Sequence, residues 1–348
     1  MNGKQVLTED FQNIVEAGLP LDEFKGKSFL ITGATGLIGS LLVQTLLYCN
    51  QEHAMDAKVY AMVRDTEKAK KIFGENPSGL EYVVADLAKG EIAAEFACDY
   101  VIHAAAVTTS KLMVSDPVGT IRTAIDGTEK LLKLAVEKKA SSFVYISSME
   151  VYGQPKSDGK TAEKDLGYID IGTVRSCYPE GKRMCECLCN AYAAQYGLNV
   201  KSARLAQTFG AGILPTENRV FAQFARSAIN GENIVLHTTG ESEGNYVYTA
   251  DAVRAILMLL VNGTSGEAYN IANEESHTTI RNMAELVAEQ IANNQIQVVI
   301  DIPKDAASFG YAPPVKMRLD ASKMCALGWK PTVGLADAYR RMIAWMNE

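Results

Sequence analysis

Two periods of apolar residues alternate along this chain. A short unbroken run, Ser28-Phe29-Leu30-Ile31, is followed by Leu41, Leu42, Val43, Leu46 and Leu47, which recur at helical spacing. The first has the length of a buried strand and the second the face of a helix. The exchange then repeats. Strands are expected over residues 29–32, 59–63, 82–85, 100–103, 143–147 and 200–205, with helical stretches between most of them, including 128–138 and 179–196. Such alternation predicts an α/β protein built on a doubly wound parallel sheet.

The two ends of the chain depart from this rhythm. Residues 8–17 predict a short helix with Thr8 as N-cap and Gly18 as its stop, inside an N-terminal helical extension over 1–26. A dinucleotide-binding unit is expected over 27–205. Beyond it, loops rich in Gly, Pro, Asn and Thr appear at 210–218 and 238–245. Helices follow at 249–261, 280–291 and 335–346, with a strand at 268–271. Residues 206–348 therefore read mainly as a smaller C-terminal substrate-binding lobe, with segments near 245–275 returning to the first unit.

Composition narrows the function. The 348 residues carry a net charge of −7 with no basic stripe, which argues against nucleic acid as partner. No apolar run is long enough for a bilayer, and no signal peptide shows in the first ten residues, so no membrane partner is expected. Seven cysteines in so long a chain do not make a disulfide framework. Cys185, Cys187 and Cys189 invite a metal reading. On a helix only Cys185 and Cys189 share a face, and no histidine is near, so no metal is expected. A reducing, cytoplasmic setting follows.

The segment Thr32-Gly33-Ala34-Thr35-Gly36-Leu37-Ile38-Gly39 lies where a strand gives way to a helix. Glycines there let backbone N–H groups and a helix N-terminus approach a pyrophosphate. This predicts a dinucleotide site at Gly33, Thr35, Gly36, Leu37, Ile38 and Gly39.

A second pair, Tyr178 and Lys182, is spaced i,i+4 beside Pro179, a residue suited to a helix start. A nearby ammonium favours the phenolate, so the Tyr178 pKa is expected to fall. That suits proton exchange with an alcohol during hydride transfer. Ser147-Ser148-Met149-Glu150 directly follows a predicted strand, at the edge where ligands of such sheets lie. Ser148 can hydrogen-bond a reacting oxygen, and Glu150 can act as a base or stand as a solvated carboxylate.

Together these motifs resemble the extended short-chain dehydrogenase/reductase family, the NAD(P)-dependent nucleotide-sugar epimerases and dehydratases. The likeness runs from about Gly26 to the C-terminus. It is carried by TGATGLIG at 32–39, VVADL at 83–87, VIHAAA at 101–106, SSMEVYG at 147–153 and YPEGK at 178–182, then by RLAQTFG at 204–210, NYVYTADAV at 245–253 and LGWKP at 327–331. The resemblance implies a Rossmann unit binding NADP or NAD. It puts Asp86 and Leu87 beside the adenine and His103, Ala104, Ala105 and Ala106 along the cofactor. Ser148, Glu150, Tyr178 and Lys182 become the catalytic set, with Tyr178 and Lys182 also touching the cofactor. A nucleotide-diphosphate sugar is the implied substrate, oxidised at C4 and then re-reduced. Thr108, Ser110, Ser148, Gln207, Arg219 and Tyr246 are expected to bind it. A homodimer through the helices near 128–138 and 179–196 is also implied.

Departures from the family pattern shape the reaction. Ala124 stands where members often have Asn, and Gln207 where a diphosphate-binding Asn is frequent. Gly244 replaces a frequent Arg, leaving diphosphate charge to Arg219, Lys316 or Arg318. Met149 removes one of the two acids of a 4,6-dehydratase. An epimerase is the main expectation. A nucleotide-sugar decarboxylase like the UDP-glucuronate enzymes, or a dehydratase, is the alternative. A net NADPH-dependent 4-keto-sugar reductase and a cofactor-binding pseudoenzyme are further ones. The second strand ends Met62-Val63-Arg64 without the usual ribose-binding acid, so Arg64 is expected to face a 2′-phosphate, favouring NADP.

Overall fold

Seven strands run parallel through the centre of the computed structural model, which describes residues 3–75, 77–90, 92, 95–303 and 315–348. They are β1 (Ser28–Thr32), β2 (Lys58–Val63), β3 (Leu80–Val84), β4 (Tyr100–His103), β5 (Ser142–Ser148), β6 (Val200–Leu205) and, after further elements, β10 (Glu267–Ile271). Their order is β3-β2-β1-β4-β5-β6-β10, and every neighbouring pair is parallel. The sheet is doubly wound as the alternation predicts. It winds outward to β3, then restarts beside β1 at β4. That switch point opens a crevice at the carboxyl ends of β1 and β4.

The remaining strands form two smaller sheets. β7 (Gln207–Phe209), β9 (Glu243–Tyr248) and β11 (Asn273–Thr279) form one small sheet, and β8 (Ile234–Leu236) pairs with β12 (Val298–Ile300). The helices are α1 (Gly3–Glu16), α2 (Leu21–Phe24), α3 (Leu37–His53), α4 (Thr66–Phe73), α5 (Ser110–Ser115), α6 (Pro117–Glu137), α7 (Cys177–Tyr196), α8 (Val220–Asn230), α9 (Thr249–Asn262), α10 (Ile280–Leu286), α11 (Ser322–Cys325) and α12 (Leu335–Met346). Among the described residues no helix is long and apolar enough to cross a membrane.

Side-chain alternation along the strands splits the core in two. Phe29 and Ile31 of β1 join Leu42 and Leu46 of α3 and Ile256 of α9 on one face. Leu30 points to the other face, where Leu131 and Leu132 of α6 meet Cys185 and Cys189 of α7. Both faces are covered, so β1 is buried throughout and reads as a continuous apolar run. Full burial of a side chain such as Phe29 contributes about 1.5–3 kcal/mol. The cysteines are packing residues here, with the Cys185 thiol 3.3 Å from the Ala124 carbonyl.

Several boundaries differ from expectation. α1 starts at Gly3, and Thr8 lies inside it, its hydroxyl donating to the Lys4 carbonyl at 3.0 Å. Val6, Leu7, Phe11 and Ile14 form a buried stripe that extends the helix past the cap signal. α6 begins at Pro117, well before residue 128, because Asp116 caps it by accepting from the Gly119 amide at 3.0 Å. α7 begins at Cys177, so Pro179 sits third in the first turn, where its missing N–H costs nothing. The 280–291 helix ends in a π turn over Val287–Ile291. The loop expected at 238–245 gives way to β9 from Glu243, held between β7 and β11.

Candidate functional site

The first wall of the site is the β1–α3 turn. Gly33 has φ +64, and a Cβ there would stand 2.8 Å from the Ala105 backbone. A Cβ on Gly39 would lie 2.2 Å from the Gly33 carbonyl. The turn therefore closes only with glycine at both positions. Gly36 is the N-cap of α3 with no side-chain cap, leaving the first amides of the helix for an outside acceptor. Thr35, Gly36, Leu37 and Ile38 are partly exposed along this edge. An uncapped helix N-terminus behind a side-chain-free turn fits a pyrophosphate.

β4 supplies the second wall. The buried His103 ring lies between two hydroxyls, with Thr32 Oγ1 at 2.8 Å from Nδ1 and Thr128 Oγ1 at 3.2 Å from Nε2. Burial, with Lys182 nearby, pushes its pKa down to about 3, so the ring is neutral. Thr32 Oγ1 also accepts from the Ala105 amide at 3.2 Å. His103 thus braces the Ala104–Ala105–Ala106 segment against the glycine turn. Further out, the Asp86 carboxylate accepts from the Ala88 amide at 3.0 Å, and the buried Leu87 packs under Gly127 of α6. Arg64 is exposed just beyond β2, and the neighbouring Asp65 caps α4.

Ser148 ends β5, while Tyr178 and Lys182 lie one turn apart on α7. The Lys182 ammonium lies 5.9 Å from the Tyr178 ring centre, 4.7 Å from that of Tyr145, and donates to the Ile146 carbonyl at 2.7 Å. Burial lowers the Lys182 pKa to about 8. The expected drop in the Tyr178 pKa is not found. Burial, and secondarily the Glu150 charge, raise it to about 12, against a Ser148 hydrogen bond and the Arg175 and Arg219 charges. The ammonium that the spacing brings near is engaged by a backbone carbonyl, and desolvation of the phenolate prevails.

Glu150 sits in the 3-10 turn Met149–Tyr152, whose N-cap is Ser148; its amide donates to Ser148 Oγ at 3.2 Å. Its carboxylate pairs with Arg175, whose Nη2 lies 3.0 Å from one oxygen and 2.9 Å from the other. A buried network stands behind these groups. Ser147 donates to Glu186, Arg204 donates to both Glu186 oxygens and to Tyr152, and Tyr152 donates to Asn270. It locks the end of β5 to α7, β6 and β10.

The expected sugar-binding residues are spread more widely. Thr108 and Ser110 are exposed at the start of α5, and Gln207 is partly buried on β7. Tyr246 is only 4% exposed, and its ring packs edge-on to Phe209 in the core. The ring lies in the hydrophobic core behind the small sheet, so Tyr246 is a packing residue. Arg219 is exposed, and its guanidinium is held by Glu217 through contacts of 3.0 and 2.7 Å. Lys316 and Arg318 are exposed on a segment bonded to Glu243 of β9. A Cβ on Gly244 would stand 3.8 Å from the end of Met149, which places that position beside the Met149–Tyr152 turn. Arg175 and the Arg204–Glu186 pair were not anticipated. A lone Arg in a turn and a charged residue in a strand carry no periodic signal.

Comparison with known proteins agrees with this geometry. The pattern of the NAD dependent epimerase/dehydratase family matches residues 29–272. UDP-glucuronic acid decarboxylase 6 of Arabidopsis thaliana is 30% identical over 310 residues, covering 88% of this chain and 85% of the relative. UDP-glucuronic acid decarboxylase 1 of Danio rerio is 28% identical over 330 residues, covering 94% and 74%. Among solved structures, UDP-glucose 4-epimerase of Thermotoga maritima superposes with a TM-score of 0.76 at 23% identity, over 92% of this chain and 98% of the other. UDP-glucuronic acid 4-epimerase of Bacillus cereus, solved with UDP-glucuronic acid and NAD, gives 0.73 at 22% identity over 92% and 99%. The chain belongs to the NAD dependent epimerase/dehydratase family, whose members similar to it are NAD-dependent nucleotide-sugar enzymes.

Proposed function

We propose that this protein oxidises the C4 hydroxyl of a nucleoside-diphosphate sugar and then re-reduces the ketone, acting as a 4-epimerase. The observation that carries this is Tyr178 hydrogen-bonded to Ser148 at the carboxyl end of β5, with Lys182 one helical turn further on and near the buried His103 of β4. Bound NAD or NADP supplies the hydride acceptor and returns the hydride. Ser148 hydrogen-bonds the C4 oxygen, Tyr178 takes its proton, and Lys182, bonded to the Ile146 carbonyl, holds α7 against the end of β5. Epimerisation needs no second base. This accords with Met149 at one flanking position and with Glu150 tied to Arg175 at the other. Arg64 at the end of β2 favours NADP over NAD. Val118 and Ile121 of α6 and Met184 of α7 are exposed and apolar, which supports a homodimer through these helices.

A second reading is decarboxylation of UDP-glucuronate. The kinship to UDP-glucuronic acid decarboxylases favours it, as does an Arg175 cation beside Glu150. Oxidation at C4 makes the C6 carboxylate a β-keto acid, which loses carbon dioxide before the C4 ketone is reduced. The test is incubation with UDP-glucuronate and, separately, UDP-glucose, with each cofactor, followed by chromatography and mass spectrometry. The first reading predicts a product of unchanged mass and altered retention. The second predicts loss of carbon dioxide from UDP-glucuronate. Unchanged sugar nucleotides in every arm contradict both.

A further inference from the structure

Three charged or titratable side chains meet at the mouth of the crevice, on two separate turns and one helix. Arg175 lies in the 3-10 turn Val174–Ser176, directly before α7. Its guanidinium bonds Glu150, which comes from the turn after β5, and lies 5.4 Å from the centre of the Tyr178 ring. One planar cation thus touches the carboxylate and faces the phenol that flanks it. Arginine suits this double contact, because its plane stacks on a ring while its edge donates to a carboxylate.

We infer that Arg175 is the positioning residue of this site: it clamps Glu150 and Tyr178 together and sets the proton affinity of the phenol through that clamp. This rests on the reading of Tyr178 as the group that takes the C4 hydroxyl proton. The groups facing Tyr178 are Ser148 and Tyr145 from β5, Glu150 from the following turn, Arg175 from the turn before α7, Cys177 and Lys182 from α7, and Arg219 from the N-cap of α8. Glu150 pushes the phenol's pKa up, and Arg175 pulls it down. With the clamp intact the two charges offset one another. Without Arg175 the carboxylate acts alone on the phenol.

The inference is tested with the full chain, NAD or NADP, and UDP-glucuronate as probe, following hydride transfer in a single turnover across pH. The variants are Arg175→Gln, Arg175→Lys, Glu150→Gln, the double Arg175→Gln/Glu150→Gln, and Tyr178→Phe. Arg175→Gln is expected to slow transfer about 10- to 100-fold and to move the rising limb of the profile to higher pH. Glu150→Gln moves that limb to lower pH, and the double variant returns it toward wild type. Arg175→Lys retains the charge, so it keeps the wild-type limb at a reduced rate. A second readout needs no turnover. In protein labelled at tyrosine, the Tyr178 Cζ resonance, assigned by its loss in Tyr178→Phe, should titrate higher in Arg175→Gln and lower in Glu150→Gln. A slow Arg175→Gln enzyme with an unmoved limb and an unmoved resonance overturns the inference and marks Arg175 as merely structural. A double variant whose limb stays at the higher pH of Arg175→Gln also overturns it. Full hydride transfer in Tyr178→Phe instead overturns the reading on which it rests, whatever the Arg175 variants do.

Discussion

Lys182 stands 5.9 Å from the centre of the Tyr178 ring while its ammonium bonds the Ile146 carbonyl at 2.7 Å. That bond anchors α7 to the end of β5, the strand that delivers Ser148. In the proposed reaction, Tyr178→Phe removes the proton route without disturbing this anchor. It should lower turnover by ~10²–10⁴-fold and leave cofactor affinity near wild type. Lys182→Ala removes both, so turnover and cofactor binding fall together. Steady-state kinetics and cofactor titration distinguish the two patterns, and near-normal turnover in Tyr178→Phe contradicts the assignment.

The proposed preference for NADP rests on Arg64. A guanidinium–phosphate pair contributes roughly 1.5–3 kcal/mol, so Arg64→Ala should weaken NADP about 10- to 100-fold and leave NAD almost unchanged. Calorimetric titration of both cofactors checks this. Equal losses indicate an Arg stacked on the adenine instead.

Glu150→Gln separates the two proposed reactions. In an epimerase the amide still bonds a sugar hydroxyl, so most activity remains. If Glu150 serves chemistry at C5 or decarboxylation, the same change stalls the reaction after oxidation. Dihydronicotinamide absorbance then accumulates in a single turnover. Full activity with no such accumulation rules out the base role.

Asp10 ties α1 to the rest of the protein. Its carboxylate accepts from Tyr248 of β9 at 2.6 Å and from Arg341 of α12 at 2.9 Å. Burial nevertheless raises its pKa from 3.8 to about 6. Between those values the folded protein holds a proton that the unfolded chain has released, so stability falls as pH rises through this window. The fall attributable to Asp10 is roughly 3 kcal/mol at most. Asp10→Asn should flatten the dependence of the denaturant midpoint between about pH 4 and pH 6, since the amide does not ionise. An unchanged slope contradicts this.

The central sheet was legible in the sequence because both its faces are buried. Segments such as Phe29–Thr32 then carry unbroken apolar runs between helical stripes. The small sheet was not, because β7 and β9 contain Gln207, Thr208 and Asn245, which break the apolar pattern, and Asn245 finds its partner, the Leu319 amide at 2.7 Å, only in the folded chain. At the site, the glycine turn and the Tyr178–Lys182 spacing were legible as local patterns. The proton affinity of Tyr178 was not, since it depends on burial and on Glu150 and Arg175, which only the fold brings together. Tyr246 misled for a related reason: its place in a familiar motif does not show which face of β9 it occupies.

The most direct test of the account uses UDP-glucuronate carrying deuterium at C4. Oxidation and re-reduction by one tightly held cofactor predict a product, epimerised or decarboxylated, that keeps the deuterium at C4 through the cycle, as read by mass spectrometry and NMR. Deuterium released to water during conversion, or conversion that persists in Tyr178→Phe with the label undisturbed, would contradict C4 hydride transfer through Ser148, Tyr178 and Lys182.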